Sequence, residues 1–254
     1  GVDNSRFILD ILVESCLKLL VMSPQHVCSY GGIMTKPRRV APAILTEDPK
    51  ALAMMVLQAE SFTTYVQFDI MDGHFVPSRS ITHEHLAALP TKLSWEAHLM
   101  IEHPEDHLEN FRQAGARKVV FHYEATPSPR EVISRARDLG LAVGLAVNPE
   151  TMVATILPLV NEVDSVLFLT VHPGFYGSQF LPEVLEKIPA LRRTQSEIEI
   201  GVDGGIKESN IAQVAQAGVD VIYVGSAIFL QPQPGESFSH LLALAQEGSQ
   251  HRSV

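Results

Sequence analysis

From Val40 onward the sequence alternates short, apolar, β-rich runs with stretches of helical periodicity, and it does so eight times. Candidate strands are Val40–Leu45, Tyr65–Met71, Leu93–Met100, Lys118–Glu124, Ala142–Asn148, Ser165–Val171, Glu199–Asp203 and Val221–Ser226. The near-continuous apolar run through Ser165–Val171 fits a strand buried on both faces. Between the strands, Pro104 to Gly115 opens with proline and acids and stops at glycine, as helix caps and the helix dipole favour. Ser128-Pro129 opens another helix that runs to Gly140. Eight strand–helix units match the count of a (β/α)8 barrel, the TIM-barrel architecture. A doubly wound open sheet would accommodate the same alternation. No Pro/Gly/Ser-rich linker divides the body, so residues 34–254 read as one α/β domain, ending in a helix near Phe238–Glu247.

The first 33 residues read differently. The spacing of Phe7, Ile8, Ile11, Leu12, Ser15, Leu19 and Met22 allows an amphipathic helix, but Met34-Thr-Lys-Pro-Arg-Arg-Val40 is a natural start that runs straight into the first strand. We therefore expect residues 1–33 to be an N-terminal extension, either non-native or disordered. Its apolar stretch from Phe7 to Met22 carries Asp10, Glu14 and Lys18, too much charge over too short a length for a membrane span.

The whole chain has a formal charge of −10, which argues against a general nucleic-acid binder or a protein held on an anionic membrane. An acidic protein can still bind a sugar phosphate, because glycine-loop amides and helix N-termini supply the positive end locally. Cys16 and Cys28 are the two cysteines, both ahead of the first strand, which suits a reducing cytoplasm.

Polar residues gather at the expected carboxyl ends of the strands, where parallel barrels build their active sites. Asp69 ends strand two and Asp203 ends strand seven, each just before a glycine turn. Two carboxylates facing each other across a substrate can remove a proton on one side and return it on the other. Gln67 shares the face of Asp69, and Glu96 shares that of His98, by the two-residue period of a strand. His122 and Glu124 stand at the end of strand four. Asp72, before Gly73, reads as a turn residue. Glycines cluster on the same rim in His172-Pro-Gly-Phe-Tyr-Gly177, Asp203-Gly-Gly205 and Val224-Gly-Ser226. They permit close backbone approach, so their amides can point at a phosphate.

Five segments carry a resemblance: Ala41-Pro-Ala-Ile-Leu45, Phe68-Asp-Ile-Met-Asp-Gly-His-Phe-Val-Pro77, Ala97-His-Leu-Met100, Thr170-Val-His-Pro-Gly-Phe-Tyr-Gly177, and Val202-Asp-Gly-Gly-Ile206 with Val224-Gly-Ser-Ala-Ile-Phe229. In order and spacing the chain resembles the ribulose-phosphate 3-epimerase family, whose fold is a (β/α)8 barrel of the ribulose-phosphate-binding type. The resemblance implies an isomerase of the pentose phosphate or Calvin pathway that inverts C3 of D-ribulose 5-phosphate through an enediolate; the cytoplasmic location is expected from cysteine usage and the lack of a clear signal peptide. It implies Asp69 and Asp203 as the acid/base pair, and one divalent metal ion (Zn, Fe, Mn or Mg) on Gln67, Asp69, His98 and Asp203. It further implies that His98, Gly174, Phe175, Tyr176, Gly177, Gly204, Gly205, Gly225 and Ser226 hold substrate and phosphate. Ala43, Met71, Met100, Leu169 and His172 are expected to line the pocket, and a homo-oligomer is implied.

The match breaks at the site itself. Gln67 stands where the family carries a histidine ligand, and an amide oxygen is a weaker and harder donor than imidazole. Ala43 replaces a serine, His172 an asparagine and Leu169 a methionine. Three outcomes follow: an active epimerase with a remodelled metal site, a 3-epimerase of a related ketose phosphate such as a ketohexose 6-phosphate, or a non-catalytic sugar-phosphate-binding homologue. His172 is also a candidate replacement ligand.

Overall fold

A computed structural model describes residues 39–174 and 178–250. The expectations for residues 1–33, for a start at Met34, and for Phe175, Tyr176 and Gly177 lie outside the described residues. Eight strands form: β1 Arg39–Ile44, β2 Tyr65–Met71, β3 Ser94–Met100, β4 Lys118–His122, β5 Ala142–Val147, β6 Ser165–Leu169, β7 Glu199–Asp203 and β8 Val221–Val224. All pair in parallel with their sequence neighbours, and β8 closes back onto β1 through Val40↔Ile222 and Ala41↔Tyr223. The sheet is a closed barrel, and the open doubly wound alternative does not hold.

Local chemistry sets the helices between the strands. Asp48 accepts a hydrogen bond from the Lys50 amide at 2.9 Å and, with Pro49 in the first turn, opens the helix Pro49–Ala59. The expected helix from Pro104 divides into a short 3-10 turn, Pro104–Asp106, and a helix Leu108–Ala114 that ends at Gly115 with φ +106°. The last helix is longer than expected, Pro234–Gln250.

Several strands stop one or two residues short of their sequence-based ends, at Ile44, His122, Val147, Leu169 and Val224. Around the rim the backbone leaves the ladder for a side chain or a turn. Glu124 lies in a 3-10 turn, Tyr123–Ala125, and accepts the Asn148 amide at 3.0 Å. The Thr170 hydroxyl donates to the Asp203 carbonyl at 3.0 Å and the Gly204 carbonyl at 2.6 Å. Residues past these points become rim loops.

Alternation along the strands makes two cores. Val66, Phe68 and Ile70 of β2 point outward, into the layer packed by the helices, with Leu99, Phe121, Val143 and Phe168. Ala41, Ala43, Val120, Ala146, Leu167, Leu169, Val221 and Tyr223 fill the barrel interior. Each fully buried aliphatic or aromatic side chain contributes roughly 1.5–3 kcal/mol relative to exposure. The amino end of the interior is polar instead. Lys118 Nζ lies 2.9 Å from Glu96 Oε2 and 3.2 Å from Glu199 Oε1, and the Tyr65 hydroxyl donates to Glu96 Oε2 at 2.6 Å. Among the described residues no helix is long and apolar enough to cross a membrane.

Candidate active site

The site grows from register. Asp69 on β2 sits beside His98 on β3, and Asp203 ends β7 beside Leu169 of β6. All four side chains face inward at the carboxyl end of the barrel, where they line one pocket with Ala43, Met71, Met100 and Tyr223. Asp69 and His98 are buried, and the Asp203 side chain is 14% exposed. His98 Nδ1 lies 2.9 Å from Asp69 Oδ1 and 3.6 Å from Asp203 Oδ2. One layer down, the Gln67 side-chain nitrogen donates to Asp69 Oδ1 at 2.9 Å and to Asp203 Oδ2 at 2.7 Å. Its oxygen, Oε1, is buried with no hydrogen-bond partner among the described residues.

Burial dominates the electrostatics. It pushes Asp69 up to about 7, although the Gln67 hydrogen bond pulls the other way. Burial, reinforced by the charge of Asp69, pushes Asp203 up to about 7 as well. Two acids this close and this dry hold a proton between them near neutrality, so one can be base while the other is acid. Burial also lowers His98, despite the carboxylates that favour its charged form, and a neutral imidazole is the form that binds metals.

Asp69, His98 and Asp203 make a candidate metal triad, with donor atoms all within 4.8 Å of one another. Gln67 fits a fourth place only after a half-turn of its amide, which exchanges nitrogen for the unpaired oxygen. That orphaned oxygen, buried beside two carboxylates, is the observation that favours a cation there: it gives Oε1 a partner where the protein offers none.

The glycine loops meet the same mouth. Gly174, Gly204, Gly205, Gly225 and Ser226 all line the pocket. Gly204 has φ +109°, and a Cβ there would come within 2.5 Å of Val171 Cγ2, so this turn accepts only glycine. Gly174 at φ +104° accepts a hydrogen bond from Ser78, which ties the loop after β6 to the loop after β2. Met71, Met100 and Val76 pack as a separate apolar cap on the pocket wall.

His172 does not join this group. Val171 takes the inward position and turns His172 out, where its side chain is 67% exposed and Nδ1 lies 2.9 Å from Glu150. The expectation of His172 as pocket lining, or as a replacement ligand, finds no contact with the triad. Asp72 is a turn residue as expected, with Oδ1 accepting from His74 and Phe75 and Oδ2 from Glu102. Sequence reasoning missed Tyr223 and Ser178 as lining residues. The two-residue period from Val221 was the signal for Tyr223; Ser178 follows a loop whose path no local pattern gives.

Fold and site together define a (β/α)8-barrel enzyme with a two-aspartate centre beneath a glycine-lined rim. The model of the ribulose-phosphate 3 epimerase family matches residues 39–229. The cytoplasmic isoform of ribulose-phosphate 3-epimerase from Oryza sativa subsp. japonica is 38% identical over 226 residues, 85% of this chain and 97% of the relative. The Schizosaccharomyces pombe ribulose-phosphate 3-epimerase is 36% identical, covering 80% of this chain and 92% of the relative. The chain belongs to the ribulose-phosphate 3-epimerase family and is an isomerase of the epimerase class. Among solved structures, the 3-hexulose-6-phosphate synthase from Salmonella typhimurium superposes with a TM-score of 0.62 at 17% identity, covering 83% of this chain and 99% of that one. That likeness speaks for the barrel alone.

Proposed function

We propose that the chain interconverts D-ribulose 5-phosphate and D-xylulose 5-phosphate, with Asp69 and Asp203 as the paired acid and base. The observation that carries this reading is the pair itself: a buried and a largely buried carboxyl, both raised to about 7, bridged by one amide. The ionised member takes the C3 proton, and the C3–H electron pair moves toward the C2 carbonyl to give an enediolate. The protonated member delivers its proton to the opposite face of C3, which inverts the centre and leaves the pair with its roles exchanged. Reversal follows the same path. General acid–base transfer of this kind contributes about 10²–10⁴-fold each way.

Asp69, His98 and Asp203 are the residues that would hold the divalent ion, whose chemistry there is to offset negative charge developing on the C2 and C3 oxygens. With Gln67 as the fourth donor the set is harder than one with a second imidazole, which favours Mn²⁺ or Mg²⁺ relative to Zn²⁺ or Fe²⁺. Backbone amides around Gly174, Gly204, Gly205 and Gly225 are suited to the phosphate, and Phe175, Tyr176 and Gly177 are further substrate-binding residues in this reading. Ala43 and Leu169 leave an apolar wall beside the sugar, and Met71 and Met100 keep water from the enediolate. The reading includes a homo-oligomer acting in the cytoplasm on a sugar phosphate of the pentose phosphate pathway; that the rice relative is a cytoplasmic isoform supports the location. No feature of the site favours the hexose or the non-catalytic reading.

Incubation with D-ribulose 5-phosphate in deuterated water tests this. Xylulose 5-phosphate should form with deuterium at C3, and both should be lost in Asp69→Asn and in Asp203→Asn. Absence of exchange in the parent protein supplied with Mn²⁺ would overturn it.

A further inference from the structure

The turn that follows β7 joins two adjacent glycines, Gly204 with φ +109° and Gly205 with φ +67°. Such a pair does not decide by its own sterics which way its peptide planes face, because glycine tolerates either orientation at small cost. Two side chains from outside the turn decide it. Thr170, fully buried just past β6, donates its hydroxyl at 2.6 Å to the Gly204 carbonyl and at 3.0 Å to the Asp203 carbonyl. A hydroxyl has one hydrogen to give. The Asp203 carbonyl already receives the Thr170 amide at 2.7 Å, so the hydroxyl serves Gly204, its shorter contact. On the next plane the Asn210 side-chain nitrogen donates to the Gly205 carbonyl at 3.0 Å. Asn210 Oδ1 accepts the Lys207 amide at 2.7 Å, which fixes the end of the side chain that donates.

Both peptides are trans, and in a trans peptide the N–H points opposite to the carbonyl. Thr170 and Asn210 hold the carbonyls from outside the pocket: neither lines it, whereas Gly204, Gly205 and Ile206 all do. The N–H groups of Gly205 and Ile206 are therefore turned away from the two latches, toward the pocket. No acceptor among the described residues takes either one. Successive backbone N–H groups left open on a concave wall make a cradle for an anion.

We infer that Thr170 and Asn210 are positioning residues for the phosphate: each latches one peptide of the Gly204–Gly205 turn, so that the N–H groups of Gly205 and Ile206 are presented to the ligand. Neither side chain touches the ligand itself. The inference rests on the sugar-phosphate reading above and assigns what orients that part of the site. Without the Thr170 hydroxyl the first plane is free to rotate, and the phosphate loses one charge-assisted hydrogen bond. The Thr170 amide still holds the Asp203 carbonyl, so the acid/base pair keeps its place.

Thr170→Val keeps the shape and removes the hydroxyl; Thr170→Ser keeps the hydroxyl. Titration calorimetry with D-ribulose 5-phosphate, D-ribulose and inorganic phosphate gives affinities, and turnover gives KM and kcat. Thr170→Val should weaken both phosphate-bearing ligands and raise KM by roughly tenfold, the loss of one hydrogen bond to a charged group, with kcat little changed. Thr170→Ser should match the parent. Asn210→Ala should behave as Thr170→Val does, and it carries the test if Thr170→Val fails to fold. Unchanged phosphate affinity in folded Thr170→Val or Asn210→Ala overturns the inference. So does a fall in kcat at unchanged KM, or a Thr170→Ser protein as impaired as Thr170→Val. A parent that binds D-ribulose no less tightly than D-ribulose 5-phosphate refutes the phosphate reading instead, a result seen before any variant is made.

Discussion

Gln67 reaches across the barrel to Asp203: its side-chain nitrogen lies 2.7 Å from an Asp203 oxygen, joining residues 136 positions apart in the chain. The same nitrogen holds Asp69 at 2.9 Å. A single neutral amide thus spans the two carboxylates on which the proposed chemistry depends, in the place where the family resemblance calls for a metal-binding imidazole.

That substitution should be readable in metal affinity. Gln67→His is expected to raise Zn²⁺ affinity at least about tenfold, because imidazole replaces an amide that must first turn. Gln67→Leu should lower the affinity for every divalent ion and leave the two carboxylates without their shared donor. His172→Ala should change neither, since His172 faces Glu150 and solvent. Chelator competition on the three variants makes the comparison.

Stability of the metal-free protein should fall as pH rises from about 6.5 to 8. Asp69 and Asp203 are raised in the folded state to about 7 from an ordinary carboxylate value, so the fold binds their protons more tightly than the unfolded chain does. Their contribution is complete below the unfolded value, about 4, and is lost as pH climbs through about 7. Glu96, Glu124 and Asp164 are lowered and act in the opposite sense in the acid range, and the lowered His98 and His122 act in the opposite sense below the ordinary histidine value of 6.5, which confines the net fall to the pH range above it. Melting temperatures across the window should flatten in an Asp69→Asn, Asp203→Asn double variant. Added Mn²⁺ should raise the parent's Tm more at pH 8 than at pH 5.

Lys118→Met should be strongly destabilising. It leaves Glu96 buried with the Tyr65 hydroxyl and without its cation, a loss of about 3–5 kcal/mol for a broken buried pair. Urea unfolding should show the double variant Glu96→Gln with Lys118→Met recovering part of that loss, because no unpaired charge remains.

Gly204→Ala should damage both fold and phosphate binding. The left-handed backbone and the 2.5 Å approach to Val171 Cγ2 force the turn after β7 to move. A cost of about 1–3 kcal/mol is expected from the strained backbone, together with a raised KM. A variant with unchanged KM would show that this turn does not hold the phosphate.

Much of the scaffold was legible in the sequence because strand alternation is a local property. β2 and β7 begin and end where their apolar runs do, at Tyr65–Met71 and Glu199–Asp203. β4, β5 and β6 end early because Glu124 and Thr170 draw the backbone into rim contacts with other strands, and propensity carries no trace of a partner that distant in sequence; β8 ends early because the Gly225 carbonyl accepts from the Ile228 and Phe229 amides and opens a short helix. Of the site, Asp69, His98 and Asp203 stood out through motifs at strand ends. His172 looked equally placed, yet one step of side-chain alternation after Val171 sends it to solvent.

By itself, then, the sequence determined the number and direction of the strands, the glycine turns, and the two acids with their histidine, all encoded within a few residues of each feature. Closure of β8 onto β1 decided the rest. Only when the sheet closes do β2 and β7 face each other across the barrel, so that burial lifts both aspartates and the Gln67 amide bridges them. The reason is that hydrogen bonds and desolvation depend on distances in space that the chain's order does not contain.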